Sequence, residues 1–261
     1  MLIRSLASCA LLLALVVPPT VPVAAQQQTL AQQTRDRANV PYHEGLAHLR
    51  NEAFDKAVAS FQSATQIDPS YDMAFYMLGR AHLAVRNYAA ATVALAKARD
   101  LFQADSTRQF TTKQERQQVL RDRIRGLEQL IEDIERAATL PANSTRRFAM
   151  EQDVRLYQER KRQLQDLERN DSLESTNAVP AFVSLSLGSA YFRSGKLQDA
   201  EQAYLAAIAA DPKIGEAHNN LAVVYMETGR YDEAERAIKA AEKTGLKVNP
   251  ALKEEIKKRR K

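Results

Sequence analysis

The side chains that could carry chemistry in this chain are four histidines and a single cysteine. The histidines, His43, His48, His82 and His218, stand at spacings that do not share one helical face. A catalytic histidine needs an oriented partner, and the sequence contains no phosphate-cradling glycine loop, no nucleophile elbow and no His-Glu-x-x-His pair. We therefore expect no enzyme and no metal or other cofactor, and we expect the chain to act by binding.

The N-terminal residues 1–25 have the pattern of a cleaved secretory signal. Arg4 precedes an apolar run over 11–17, and Pro18 ends that run before the small residues that lead to Ala25. A transmembrane helix needs about 20 apolar residues, so we expect no membrane span in the mature chain. The pattern predicts an exported protein, in the periplasm or secreted into the cell envelope.

Cys9 stands in a short segment that is similar to a lipoprotein box. Such a box closes the apolar run, and here the run follows it, so we expect no lipidation. Cleavage after Ala25 would remove this cysteine, and the mature chain would then have no thiol for a disulfide or for catalysis.

Small and large residues recur in register about every 34 residues, which is the signature of a repeat protein. The columns are Ala57, Ala91, Ala200 and Ala234, then Phe61, Leu95, Tyr204 and Ile238, then Ala64, Ala98, Ala207 and Ala241. Helix pairs that stack need such columns, because each pair buries its apolar face only against the next. The pattern predicts an all-α repeat scaffold.

The third segment has the most complete set of marker residues. They are Leu187-Gly188, Tyr191, Gly195, Leu197, Ala200, Tyr204, Ala207 and Asp211-Pro212. This stretch closely resembles the tetratricopeptide repeat family, and the other three segments keep part of the same set. The resemblance implies an α-solenoid of two pairs of helix-turn-helix repeats, over residues 38–105 and 178–248. A flexible, Gln-rich lead is expected over 26–37.

The two repeat pairs are separated by residues 106–177, which are predicted to form an antiparallel coiled-coil hairpin. Its first helix, about 112–138, has apolar residues spaced alternately by four and three, and its second helix covers about 144–169. We expect an arm whose tip stands clear of the stack. Two interpretations stay open. In one, the hairpin is self-contained, because the apolar stripes of its two helices pack on each other; in the other, the arm forms a homodimer through 112–169.

The last segment, 249–261, is predicted to be a basic capping helix that starts at Asn249-Pro250. Its lysines and arginines are expected to face water, as the cap of a solenoid does. Anionic lipid and nucleic acid are the alternative partners for such a cluster. We expect no nucleic acid, because the secretory signal would export the protein to a compartment without it.

In the family that this chain resembles, peptides lie along the concave surface that the first helix of each repeat lines. That resemblance places the groove on Tyr42, Leu46, Arg50, Met73, Tyr76, Arg80, Phe182, Leu185, Phe192, Arg193, Asn219, Asn220 and Val223. Aromatic, Met and Arg side chains suit an apolar segment that carries carboxylates. The alternative is that these side chains pack on one another, on the lead segment or on the base of the arm.

The sequence thus predicts a non-catalytic scaffold or adaptor outside the cytoplasm, which binds a peptide or an amphipathic helix of another protein in its groove. The alternative function is an assembly or oligomerisation protein that acts mainly through the coiled-coil arm.

Overall fold

The computed structural model describes residues 23–107, 110, 112–139, 144–169 and 179–260, without the side chains of 23–29 and 144–149. The predicted signal segment lies outside these residues up to position 22, and Cys9 lies there with it. The described residues form α-helices and no strand. The helices are α1 (Val23–Arg50), α2 (Phe54–Ile67), α3 (Asp72–Ala84), α4 (Tyr88–Ser106), α5 (Lys113–Ala138), α6 (Ser144–Arg169), α7 (Ala181–Arg193), α8 (Leu197–Ala210), α9 (Gly215–Glu227), α10 (Tyr231–Lys243) and α11 (Pro250–Arg260).

Four helix pairs make up the repeats: α1–α2, α3–α4, α7–α8 and α9–α10. In the first three pairs a glycine of the first helix faces a large side chain of the second. A Cβ built on Gly79 would stand 2.4 Å from Leu95 Cγ, and one on Gly188 would stand 2.6 Å from the ring of Tyr204. Only glycine lets the helices approach this closely. The predicted all-α repeat fold is confirmed.

The turn inside each repeat has one geometry in all four pairs. Three residues join the two helices, and the middle one has a positive φ: 57° at Glu52, 59° at Arg86, 74° at Gly195 and 75° at Gly229. The next residue donates its backbone N–H to a carbonyl five positions earlier, as Asn87 does to His82 at 2.9 Å. This is the Schellman motif, which satisfies the last carbonyls of the first helix.

The two repeat pairs form one continuous stack, although the inserted segment separates them in sequence. α7 lies against α4 and α3, and the ring centroid of Phe182 is 6.5 Å from that of Phe102 and 4.9 Å from that of Tyr76. One hydrophobic core extends from Ala38 through the second repeat to Ala203. The third repeat therefore stacks on the second as the second stacks on the first.

α5 and α6 form an antiparallel hairpin. Arg116 Nη2 donates to the backbone oxygen of Leu167 at 2.8 Å, and Lys161 pairs with Glu128 at 3.6 Å. The hairpin lies against α1 and α7 and contacts α3 through the hydrogen bonds of Arg80. The tip at residues 140–143, which we expect to stand clear of the stack, lies outside the described residues. The apolar surface of the hairpin is wider than one seam, because Leu130 is buried beside Ile131, and both belong to the hydrophobic core that includes residues of the repeats.

Residues 26–37, for which we expect a flexible lead, belong instead to α1, which is helical from Val23. Glutamine and alanine are good helix formers, and the extension is tied to the stack. Arg35 Nε donates to Asp68 Oδ2 at 2.6 Å, and its guanidinium lies 4.0 Å from the ring centroid of Tyr71. Burial would raise the pKa of Asp68, but its hydrogen bonds with Ser70 and the charge of Arg35 hold that pKa below its usual value.

α11 closes the other end of the stack. Asn249 accepts a hydrogen bond from the backbone N–H of Ala251 at 2.9 Å, and Ile256 is 1% exposed against repeat four. Arg260 pairs with Asp232 at 2.8 Å and with Glu235 at 2.7 Å. Among the described residues no helix combines the length and the apolar character that a membrane span requires.

Candidate functional site

The first helices of the four repeats, α1, α3, α7 and α9, carry all the predicted groove residues. We call the surface that they line the A-helix groove. The hairpin divides it into two parts. The hairpin contacts Arg50, Tyr76, Arg80 and Phe182. We call the part that these four share with Tyr42, Leu46 and Met73 the covered part, and the open part holds Leu185, Phe192, Arg193, Asn219, Asn220 and Val223.

Tyr157 of α6 is the centre of the covered part and is 0% exposed. Its hydroxyl lies 3.0 Å from that of Tyr76 and accepts a hydrogen bond from Arg80 Nη1 at 2.7 Å. Arg80 Nη2 also donates to Asp153 Oδ2 at 2.5 Å. The ring of Phe182 completes the contact, with its centroid 5.1 Å from that of Tyr157. We call these five residues the Tyr157 cluster.

Burial fixes the charge states in the Tyr157 cluster. It raises the pKa of Tyr157 well above its usual value, so the phenol is neutral at physiological pH. Burial alone would lower the pKa of Arg80, but the Asp153 carboxylate and the two tyrosines more than offset it and the pKa is raised. The cluster is thus a direct ion pair of Arg80 with Asp153, beside neutral hydroxyls that occupy the second nitrogen of the guanidinium, and its buried polar groups are satisfied.

Three further arginines make ion pairs that join the hairpin to the repeats on either side of this cluster. Arg123 of α5 lies 3.2 Å from Asp72 and 2.9 Å from Asp105. Arg50 lies 3.7 Å from Asp133, and Arg155 lies 3.7 Å from Glu216. The hairpin therefore bridges from the first repeat to the fourth.

Arg160 is a deeply buried arginine of the hairpin, with 8% of its surface exposed. Its Nη1 donates to Gln163 at 3.2 Å. Burial lowers the pKa of its guanidinium to about 10, and repulsion from Arg123 adds to that effect.

The open part is smaller and less charged. Leu185, Phe192 and Val223 are half-buried, and Arg193 is exposed. Asn219 donates to Asn220 at 3.4 Å, and Tyr204 donates to Ser189 at 3.4 Å. Burial raises the pKa of Tyr204 although hydrogen bonds with Ser189 and Asn220 lower it, so the Asn220 amide bonds within the chain. Asn219 and Asn220 therefore both make contacts within the chain.

A cleft of about 340 Å³ lies between α1 and α5 at the edge of the covered part. Its walls are His43, Ala47, Arg50, Gln129, Asp133 and Arg136. Asp133 lies 3.7 Å from both arginines, and Arg136 also pairs with Glu132, so both arginines of this cleft are paired within the chain. Among the described residues no three His, Cys, Asp or Glu side chains come together as a metal site would require.

The structure brings most of the predicted groove residues together, but with the hairpin against them. Sequence reasoning missed Asp153 and Tyr157, which make the strongest contacts in the groove. One signal could have found them: they stand four residues apart, on one face of α6.

Residues 185–245 match the family model described as Tetratricopeptide repeat. A search of curated proteins found no match.

Among solved structures, the chain is similar to PilW, a widely conserved type IV pilus biogenesis factor, at 16% identity over 85% of each chain and a TM-score of 0.38. It is also similar to TTC0263, a thermophilic protein of the same repeat class from Thermus thermophilus, at 19% identity over 85% of this chain and 98% of that one, with a TM-score of 0.28. A third structure is YrrB, described as having an unusual peptide-binding site, at 15% identity over 90% and 98% and a TM-score of 0.28. Likenesses this low carry no argument about function.

Proposed function

The chain carries tetratricopeptide repeats, and we propose that it is a non-catalytic adaptor that binds another protein through the open part of the A-helix groove. Support comes from what the hairpin leaves uncovered. Phe192 and Val223 offer apolar contact, Asn219 offers an amide, and Arg193 offers an exposed charge. An apolar centre with a polar rim is the usual anatomy of a protein interface, and a short peptide or an amphipathic helix with a carboxylate fits it.

We propose, as the sequence predicts, that the protein works outside the cytoplasm after removal of residues 1–25. The test is fractionation of the host cell followed by N-terminal sequencing of the mature protein. A mature chain that starts at Gln26 in the envelope fraction would support the proposal, and an intact N-terminus in the cytoplasm would overturn it.

The basic C-terminal helix is a weaker candidate for binding anionic lipid. Arg259 and Arg260 pair with acidic residues of α9 and α10, at 3.6 Å to Glu227 and 2.7 Å to Glu235. These two arginines hold the capping helix on the fourth repeat, so their charges are already paired within the chain. A homodimer through 112–169 stays a prediction, and it would have to use the outer face of the hairpin, because Leu120, Leu130 and Leu164 are buried within one chain.

The test of the groove is Val223→Asp, which places a charge in the open part. Val93→Asp is the matched control, because Val93 is 71% exposed on α4, away from the groove. Both variants are checked for folding by circular dichroism and then used as baits for crosslinking in an envelope extract. We expect Val223→Asp to lose at least tenfold of the captured partner, equal to about 1.4 kcal/mol, and Val93→Asp to keep it. Equal capture by both variants would overturn the proposal.

A further inference from the structure

The two ends of the repeat stack are finished differently. At the end of repeat four, α11 covers the last repeat with Leu252 and with Ile256, which is 1% exposed. At the other end, α1 packs on α2 and α5, and its opposite side is exposed. Each helix pair of such a stack buries apolar surface against its neighbour, so the exposed side of α1 is a surface that another molecule can cover.

Val40 lies at the centre of the exposed side of α1 and is 63% exposed. Tyr42 marks the inner side, because its ring centroid is 5.8 Å from that of Phe61 of α2, and Val40 stands two positions earlier, about 200° around the helix. Residues three or four positions apart share one side of a helix. We call this side the α1 outer face, and its residues are Gln33, Arg37, Val40, Glu44 and Ala47.

The charges of the α1 outer face fit a second copy of the same face. Arg37 stands three positions before Val40 and Glu44 stands four positions after it, and both charged side chains are exposed. When two such helices pack antiparallel about a two-fold axis at Val40, Arg37 of each copy lies next to Glu44 of the other. The same rotation places Gln33 opposite the small side chain of Ala47. A patch that is self-complementary in this way is what a two-fold dimer requires.

We propose that the α1 outer face binds a second copy of this chain, so that two repeat stacks join end to end with their α1 helices antiparallel. The two Val40 side chains meet at the axis, and the ion pairs of Arg37 with Glu44 lie on one flank. On the other flank, the carboxylate of Asp36 accepts a hydrogen bond from the imidazole of His43 of the other copy. The open part of the A-helix groove lies on α7 and α9, away from α1. The dimer therefore carries two open parts, and it can hold a partner with two binding segments more tightly than one chain can.

The size of the interface sets its strength. Residues 33–47 of α1 rise about 21 Å along the helix, and one helix pair of that length is small beside a stable protein interface. We therefore expect a Kd in the micromolar range. Because charges at the rim of an interface supply specificity, we also expect the association to weaken as salt screens them.

Sedimentation velocity across the micromolar range measures the self-association. The chain is purified without residues 1–25, none of which belongs to a hydrophobic core of the described residues. We expect Val40→Asp, which places two carboxylates at the axis, to weaken the dimer by about tenfold or more. Val93→Asp is the matched control, because Val93 is 71% exposed on α4, and Val223→Asp changes only the open part of the groove. Both should self-associate as the wild type does, which separates this proposal from binding at the open part.

A charge exchange tests the pairing of Arg37 with Glu44. Arg37→Glu leaves two acidic residues at these positions and Glu44→Arg leaves two basic ones, so each variant alone brings like charges together and should be monomeric. When the two variants are mixed, opposite charges meet at both pairs, and we expect a heterodimer with about the affinity of the wild-type dimer. Misfolded variants would not restore each other in this way.

Three results would overturn the proposal: a wild type that stays monomeric, a mixture of the two charge variants that does not associate, and single variants that still self-associate. The last result would place the self-association on another surface, such as the outer face of the hairpin.

Discussion

At the scale of single residues, the four repeat turns show one backbone geometry made from different side chains. The middle residue is left-handed in every turn, yet it is glycine in the third and fourth repeats and Glu52 or Arg86 in the first and second. A residue with a Cβ pays about 1–2 kcal/mol in this conformation. The first two turns therefore carry strain that Gly195 and Gly229 avoid.

We expect Arg86→Gly to raise the free energy of unfolding by about 0.5–1 kcal/mol. The relief of the left-handed penalty exceeds the entropy that a glycine adds to the unfolded chain. Gly195→Ala is the reverse change at the equivalent turn, where a Cβ would meet nothing within 4 Å, and it should cost about 1 kcal/mol. Urea denaturation of both variants measures the two shifts, and shifts of the same sign would contradict the interpretation of the turns.

The residues that recur about every 34 positions were sufficient to predict the repeats. A small residue such as Gly188 and the large side chain that packs on it, Tyr204, stand at a fixed spacing in sequence. The recurring residues were not sufficient to predict which groove residues are accessible. Tyr76 and Arg80 stand where a peptide would contact them, but their partners, Tyr157 and Asp153, lie on a distant helix. No local period relates residues that far apart.

At the scale of elements, the hairpin was predictable in extent and not in position. The helices expected at about 112–138 and 144–169 are found at Lys113–Ala138 and Ser144–Arg169, because Thr112 caps the first through the N–H of Glu115 at 3.1 Å. Its docking depends on side chains that look like a solvated face in sequence. In sequence Arg123 stands between Arg121 and Arg125 in a polar stretch, yet its side chain is only 19% exposed and lies between Asp72 of α3 and Asp105 of α4.

We expect Arg123→Ala to lower the free energy of unfolding by about 1–3 kcal/mol, because it takes a charged partner away from two half-buried carboxylates. Arg125→Ala is the control on the same helix. The Arg125 side chain is 76% exposed and pairs with Asp122 inside α5, so we expect a change within about 0.5 kcal/mol. Chemical denaturation at low and high salt measures both, and equal effects would mean that the bridge from α5 to the repeats contributes nothing.

At the scale of the whole molecule, the insertion does not interrupt the solenoid. Stability in a stack of repeats is approximately a sum of repeat and interface contributions, so the contact between the second and third repeats decides whether the four repeats unfold together. Phe182 is 2% exposed and meets Phe102 of α4, Tyr76 of α3 and Tyr157 of α6. It joins both repeat pairs and the hairpin at one point.

We expect Phe182→Ala to cost about 3–5 kcal/mol, as the loss of a buried phenylalanine does, and to uncouple the two repeat pairs. In the wild type, slowly exchanging amides of α2 and α9 should report the same free energy of opening. In the variant they should report two different values, since the interface that couples them is lost.

Leu205→Ala is the control, because Leu205 is 39% exposed on α8 and its loss should lower the free energy of unfolding by less than about 1 kcal/mol. Hydrogen exchange that stays equal in α2 and α9 of Phe182→Ala would show that the coupling runs through another contact, and the ion pair of Arg155 with Glu216 would then be the next to remove.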